Sequence, residues 1–483
     1  MALKRRSSTE NQPQVLRVSF GSPEARSGFP GSARTPRKRL NFDSDRDFSR
    51  FSLRITRQDL SVPPFRKERE WVGAPASIVI RTKRPTPSKP RIVWGTQASG
   101  EGAENLPKVK CSRVGIRMTR RSEMMSPYME WAKLRSAAKY NLATSGIMSY
   151  PLAELPVRLE DLEINGPNPY GYAPLVERLA RYNNVSPDCI VTSAGTSLAN
   201  HLAMAATFDP GDEVLIEHPT YELLESTALY LGAKLRRFER RLEDGFRIDP
   251  AEVERNITPQ TKLIILTNLH NPTGAYADEA TIRAVGDLAK AHGARVLADE
   301  VYLETFYGHR PSTAFHFGEQ FLVTSSLTKA FGLSGIRCGW VLASPELTHR
   351  MWRINDLYAA SPVHPAELIG VIAFDHLDNV AARAQEILQS NRASLAAFLE
   401  ARQDLDVFRP EHGTIVFPKL RFGNVEEFIA LLREKYETSV VPGQFFDMPQ
   451  HFRIGIGGEP EMTRVGLERV AMALDEYGRR EAP

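Results

Sequence analysis

From about Asn165 onward, apolar residues alternate between two textures. Short continuous apolar runs read as buried strands, and runs with apolar residues every three to four positions read as helices covering them. Cys189–Ser193 is predicted as a strand, followed by a helix with Leu198, Leu202 and Ala206 on one face, ended by Asp209-Pro210-Gly211. Glu213–Glu217 is a second strand, with a helix from about Tyr221. Lys262–Thr267 is a third, and Glu279–His292 an amphipathic helix with Ile282, Val285 and Leu288 inward, closed by Gly293. Arg295–Ala298 and Phe321–Thr324 complete the strands. Apolar strands separated by helices predict an α/β fold, a mainly parallel sheet with helices on both faces. Ligands of such sheets bind at the carboxyl ends of the strands.

The texture changes at both ends. After about Pro362, predicted helices Ala366–Phe374 and Ala381–Glu400 precede short strands near Thr414–Phe417 and Phe452–Ile456. Three parts follow: residues 165–361 as a large domain, 125–164 with 362–483 as a smaller α+β domain, and 1–124 as a basic, Pro/Ser/Arg-rich segment expected to lack a core. That segment reads as a disordered tail, an organellar presequence, or sequence upstream of a true start at Met118, Met124 or Met125.

Charge sharpens this division. The 483 residues carry a net +4, yet residues 1–124 hold 27 basic against 11 acidic residues (+16), and the remainder 35 against 47 (−12). The part that carries the chemistry is acidic, which argues against a nucleic-acid surface. No stretch reaches the roughly 18 apolar residues of a membrane span, and no apolar h-region follows the N-terminus. Cys111, Cys189 and Cys338 form no metal-spaced or redox pair, which fits a reducing, cytoplasmic setting and no metal.

Five local signals occur in order. Ala194-Gly195-Thr196 lies between a strand and a helix, where backbone N–H groups and the helix dipole suit a phosphate. His218-Pro219-Thr220-Tyr221 offers an aromatic face past a strand end. Asn268-Leu-His-Asn271-Pro272-Thr273-Gly274 follows a buried strand, with Asn271-Pro272 a candidate cis peptide. Asp299-Glu-Val-Tyr302 puts a carboxylate and a phenol at the next strand end. In Ser326-Leu-Thr-Lys329-Ala-Phe-Gly-Leu-Ser-Gly-Ile-Arg337, a lysine follows a strand, then a Gly-rich turn and an arginine. A pocketed lysine can lose its proton and condense with an aldehyde, and an arginine can grip a phosphate with two bonds. Singly, each has an ordinary reading: a surface lysine in a glycine loop, a Pro-Thr-Gly turn, a helix cap, a packed tyrosine.

Jointly they resemble the class I/II aminotransferases, fold-type I pyridoxal-phosphate enzymes, over Met125 to the C-terminus. The resemblance implies an aspartate-aminotransferase-like fold and pyridoxal 5′-phosphate as cofactor. It implies ping-pong amino transfer between an L-amino acid and a 2-oxo acid, in a homodimer. Lys329 is then the Schiff-base and proton-shuttle residue. Asp299 pairs with the pyridine nitrogen, Asn271 and Tyr302 with its O3′, and Tyr221 stacks on the ring. Gly195, Thr196, Ser326 and Arg337 hold the phosphate. In His451-Phe-Arg453-Ile-Gly455, Arg453 takes the substrate carboxylate, assisted by Asn271. Asn141–Gly146 is the loop that closes over substrate, with Gly146 against it.

Two positions depart from the family pattern. The tyrosine sent to a partner's phosphate is Tyr170, Tyr172 or neither, and Ala194 replaces a Gly or Ser. No second arginine is placed for a side-chain carboxylate, which disfavours strict dicarboxylate specificity; Trp131, Tyr150 and His270 are candidate pocket-lining or packing residues. The same site also serves β-lyase, decarboxylase or cyclopropane-forming synthase chemistry. A third reading, a cofactor-binding transcriptional regulator, lacks the periodic helices a helix-turn-helix needs in residues 1–124.

Overall fold

The computed structural model describes residues 125–481 and, as a separate unit, two short strands, Gln14–Arg17 and Val79–Thr82, paired antiparallel. That ribbon stands where the sequence predicts no element. Apart from it, the expectations for residues 1–124 lie outside the described residues, as does Cys111. Among the described residues no helix is long and apolar enough to cross a membrane, and no cluster of His, Cys, Asp and Glu suits a metal.

The fold is α/β around seven strands: β1 (Ile190–Ala194), β2 (Glu213–His218), β3 (Lys234–Glu239), β4 (Thr261–Thr267), β5 (Arg295–Asp299), β6 (Phe321–Ser326) and β7 (Cys338–Leu342). Their spatial order is β1-β7-β6-β5-β4-β2-β3. β2 through β6 pair in parallel, and β7 runs antiparallel to both β1 and β6. The central strands are apolar throughout because both faces are covered. Along β4, Ile264 and Leu266 join one core cluster and Leu263 and Ile265 the other. Residues one apart on a strand point to opposite faces, so two cores need an unbroken apolar run.

Helices α1 (Pro127–Leu134), α2 (Ala173–Asn183), α3 (Gly195–Thr207), α4 (Glu222–Tyr230), α5 (Pro250–Asn256), α6 (Glu279–Ala291), α7 (Pro345–Asn355), α8 (His364–Asp375) and α9 (Leu377–Glu400) follow in the chain. Leu175 of α2, Val253 of α5 and Ile282 of α6 cover one face of the sheet; Leu202 of α3, Leu224 of α4 and Met351 of α7 cover the other. A further core joins Leu142 and Ile147 to α9, α10 (Val425–Tyr436), α11 (Pro460–Glu481) and a three-stranded sheet of Ile415–Val416, Phe452–Gly455 and Val441–Pro442.

Several boundaries differ from the sequence expectation. β1 begins one residue late because Pro187–Cys189 forms a 3₁₀ turn. α8 and α9 begin earlier than Ala366 and Ala381. β3 and β7 have no counterpart in the predicted strands. β3 is an edge strand with alternating exposure and a Lys-Leu-Arg-Arg sequence, the opposite of an apolar run. β7 hides behind the glycines that precede it. The cis peptide bonds lie at His218–Pro219 and Asn268–Leu269, not at Asn271–Pro272.

Antiparallel β7 has one consequence for the site. Arg337 precedes β7, so it sits at that strand's amino end rather than past a carboxyl end, yet on the same edge of the sheet as the ends of β1 and β6. Gly339 pairs with Ser193 on one side and Ser326 on the other. A Cβ there would lie 2.6 Å from the Cα of Gly195, backbone against backbone. Gly339→Ala is expected to destabilise the protein by about 1–3 kcal/mol, as overpacking does. Gly335, whose added Cβ meets nothing within 4 Å, serves as the control and should tolerate Ala within about 0.5 kcal/mol in the same denaturant titration.

Candidate active site

Three neighbouring strand ends line up: Thr267 on β4 pairs with Asp299 on β5, which pairs with Thr324 on β6. The Asp299 carboxylate is buried and held on both oxygens, by the Asn200 amide at 2.8 Å and the Val301 N–H at 3.1 Å. Asn200 is fixed in turn, its Oδ1 accepting from the Thr324 hydroxyl at 2.6 Å. Burial pushes the carboxyl of Asp299 up to about 6, while the Asn200 and Val301 bonds and the nearby Lys329 pull it down. Such a carboxyl ionises readily once a cation pairs with it.

Lys329 follows β6 and reaches into the same space. It is half-buried, and its Nζ donates to the Ser145 hydroxyl at 3.1 Å. Burial lowers its pKa from 10.5 to about 8; the positive charges of Arg453 and Arg337 act with burial and Asp299 against it. The loop carrying Ser145 is fastened to the lysine loop by the Ile147 N–H on the Lys329 carbonyl at 2.8 Å. Gly146 sits against the lysine, its position for a Cβ 3.4 Å from Lys329 Cα and Cδ.

Beside the lysine a small polar cup forms. Gly195, at φ +77°, starts α3, and any side chain on it would strike the Arg337 guanidinium. The Thr196 hydroxyl donates to Ser326 at 2.7 Å, and Ser326 and Thr328 hydroxyls lie 2.6 Å apart. Arg337 donates to the Ala194 carbonyl at 3.1 Å. Helix N–H groups, three hydroxyls and a guanidinium converge here, which suits a phosphate.

On the opposite side lies Arg453, fully buried. It donates to Asn271 Oδ1 at 2.9 Å, to the Tyr128 hydroxyl at 2.8 Å and to the Ala143 carbonyl at 3.3 Å. Because Asn271 Oδ1 is taken, its Nδ2 is the group free to serve a ligand. The Arg453 Nε is buried without a hydrogen-bond partner, and the buried Tyr302 hydroxyl has only the Ser145 hydroxyl near it. A buried unpaired polar atom is costly, so a ligand that accepts from the Arg453 Nε would be favoured here. Burial holds the Tyr302 phenol protonated, ready to donate.

The Asn271 loop rests on a dehydrated ion pair. Arg240 and Glu217, both fully buried, pair at 2.7 Å. The other Glu217 oxygen accepts from Thr267 N at 2.8 Å and Thr267 Oγ1 at 2.6 Å, and Thr267 Oγ1 accepts from the Asn271 N–H at 3.0 Å.

The structure therefore gathers Lys329, Asp299, Tyr302, Asn271 and Arg453 with the cup of Gly195, Thr196, Ser326 and Arg337, and Gly146 at its edge. Tyr221 joins from α4's start, its ring edge-on to Tyr128 with centroids 5.7 Å apart. His270 is turned into the core, its ring on Thr273 and the Pro219 carbonyl, so it packs rather than lines the site. Tyr150 lies at the surface beneath Arg383, and Trp131 packs on Phe445. Tyr170 lies on Trp352 and Arg353, and Tyr172 against His364. The sequence reading passed over four residues. Ser145 and Thr328 stood inside quoted motifs, and Asn200 lies one helical turn from Thr196, on the same face. Tyr128 carried no signal.

Comparison with known proteins fits this geometry. The profile described as "Aminotransferase class I and II" matches residues 162–470. The chain belongs to the class I and II aminotransferase family. Within it, the chain is 28% identical to capreomycidine synthase of Streptomyces vinaceus over 73% of this chain and 95% of that protein. It is 27% identical to an arginine–pyruvate transaminase of Pseudomonas aeruginosa, over 62% of this chain and 79% of the relative. Among solved structures, a PLP-dependent aminotransferase from Streptococcus suis superposes with a TM-score of 0.69 at 27% identity, covering 74% of this chain and 98% of the other. A PLP-dependent cyclase, OrfR, superposes with a TM-score of 0.66 at 26% identity, covering 73% and 97%.

Two outcomes are expected. An amine reacts with an amine-selective aldehyde only when neutral, so labelling of Lys329 in cofactor-free protein should be half-maximal near pH 8, against 10.5 for an ordinary lysine. Asp299→Asn, which removes the charge that raises this pKa, should move the midpoint lower; labelling is read by peptide mass spectrometry. Arg240→Leu should cost about 3–5 kcal/mol in chemical denaturation by stranding Glu217, and adding Glu217→Leu should recover most of it.

Proposed function

We propose that this chain is a pyridoxal-phosphate-dependent aminotransferase acting on L-amino acids. The observation that carries the reading is the half-buried amine of Lys329, standing between an ionisable Asp299 and a phosphate cup with a buried arginine opposite. Pyridoxal phosphate supplies an aldehyde carbon with which amines condense and a ring that draws off negative charge. Lys329 would be the amine that holds that aldehyde carbon until a substrate amine replaces it. Its amine, brought toward neutrality near pH 8 by burial, would serve as the base that accepts the substrate α-proton and as the acid that returns it. Asp299, steadied by Asn200 and the Val301 N–H, holds the proton on the ring nitrogen. The free Asn271 Nδ2 and the Tyr302 hydroxyl would donate to the ring oxygen, and Tyr221 would stack on the ring. Gly195, Thr196, Ser326, Thr328 and Arg337 hold the phosphate. Arg453 takes the carboxylate common to amino-acid substrates, and burial in an aromatic surround strengthens that bond by excluding water.

A second reading has specific support: a synthase and a cyclase stand among the relatives. Such chemistry uses the same lysine and carboxylate but leaves the amino group in the product. Exposed Leu159, Ile164, Leu357, Tyr358 and Val363 support a homodimer, since large apolar side chains in water mark contact surfaces. The free buried thiols Cys189 and Cys338 fit a cytoplasmic setting.

The test is a single turnover of cofactor-loaded protein against a panel of amino acids without acceptor. An aminotransferase releases one equivalent of 2-oxo acid per site and loses the lysine-bound absorbance. Substrate consumption with no 2-oxo acid favours the synthase reading; carbon dioxide release indicates decarboxylation. Lys329→Ala should abolish cofactor trapping by borohydride and lower turnover by about 10²-fold or more. A variant still trapped covalently at the site overturns the lysine assignment.

A further inference from the structure

α1 covers Arg453. Its N-cap residue Ser126 accepts from the Met129 N–H at 3.1 Å and donates to the carboxylate of Glu222, the first residue of α4. Ser226 also donates to that carboxylate, so α1 is tied down at its start. Two residues on, Tyr128 is buried at 6% exposure, its ring edge-on to Tyr221 and to Phe445. Its hydroxyl accepts from Arg453 NH2 at 2.8 Å, and the guanidinium carbon lies 5.5 Å from its ring centre.

The donors of Arg453 can be followed one by one. NH2 is used by Tyr128 and the Ala143 carbonyl, NH1 gives one proton to Asn271, and Nε is buried and unpaired. An end-on carboxylate therefore finds one arm of the fork already occupied. The Tyr128 oxygen is an acceptor in that bond, so its own proton remains; it has no acceptor among the described residues. A phenol beside a guanidinium, with a free O–H, is a donor for the same anion.

We infer that Tyr128 is a substrate-binding residue whose hydroxyl donates to the substrate α-carboxylate alongside Arg453, so that α1 closes the carboxylate end of the site. This rests on the proposed role of Arg453. The opposite reading of the same contact is a plug, in which Tyr128 competes with the carboxylate for the guanidinium. The two differ in sign.

The experiment uses cofactor-loaded full-length protein and follows the absorbance change on condensation with L-alanine, L-phenylalanine and L-arginine. Each is compared with its amine lacking the carboxylate: ethylamine, 2-phenylethylamine and agmatine. Tyr128→Phe keeps the ring and its packing. Loss of a hydrogen bond to a charged group is expected to weaken each responding amino acid about tenfold or more and leave its amine within about twofold. In steady state the loss should fall on KM rather than kcat. An unchanged or tighter amino acid, or an equal loss on both members of a pair, overturns the inference. Arg453→Ala separates this from the underlying reading. If it loses the preference for amino acid over amine while Tyr128→Phe keeps it, only the tyrosine assignment fails. If Arg453→Ala keeps the preference, or wild type has none, the carboxylate role of Arg453 fails and the inference with it.

Discussion

Everything at this site turns on holding one half-buried amine among charges that cannot all be satisfied at once. Lys329 is pressed toward neutrality by burial and by Arg453 and Arg337, and drawn toward charge only by Asp299. An amine in ordinary solvent would be protonated at neutral pH and would not condense. The two arginines proposed to grip opposite ends of the ligands thus also act on the lysine's proton. An anion bound at either arginine, a phosphate at Arg337 or a carboxylate at Arg453, would relax one of those pressures and raise the lysine's affinity for a proton.

The sheet makes this crowding possible. Parallel strands deliver Thr267, Asp299 and Thr324 to one edge, and the single reversed strand returns the chain so that Arg337 arrives at that edge from the other direction. The polar ends need buried support, and the Glu217–Arg240 pair supplies it under the Asn271 loop. That pair is weak evidence of stability, since dehydrating two charges offsets most of their attraction. Its value lies in orientation: it sets the Thr267 hydroxyl so that its lone pair faces the Asn271 N–H.

What could be read in the sequence follows the same physics. Strands buried on both faces, such as β4 and β6, announce themselves as apolar runs. β3 does not, because an edge strand is rewarded for charge, and β7 does not, because its start lies inside a glycine-rich turn. Lys329, Asp299 and Asn271 stand in compact motifs whose order is itself a signal. Asn200 and Tyr128 act through space; helical spacing from Thr196 is the one local sign of Asn200, and none marks Tyr128, which comes from a segment far along the chain. The sequence points to a cis peptide at the proline most visible in its motif, whereas the backbone places one three bonds earlier. Arg453 was legible only by its place after a recognisable segment; its complete burial and its three acceptors belong to the fold.

The division of the site between its two sources has a wider meaning. The proposed cofactor cup draws on residues 195–339, at strand ends where Gly195 and Gly339 approach closely. The proposed carboxylate end draws on 128–146 and 453, on a short helix, a loop and a small sheet. Mutational drift in the second group can redraw which molecule is held, and how far its reacting bonds are exposed, without disturbing the first. A scaffold partitioned in this way is free to diversify its chemistry, and a shared ancestry can embrace transaminases, synthases and cyclases alike.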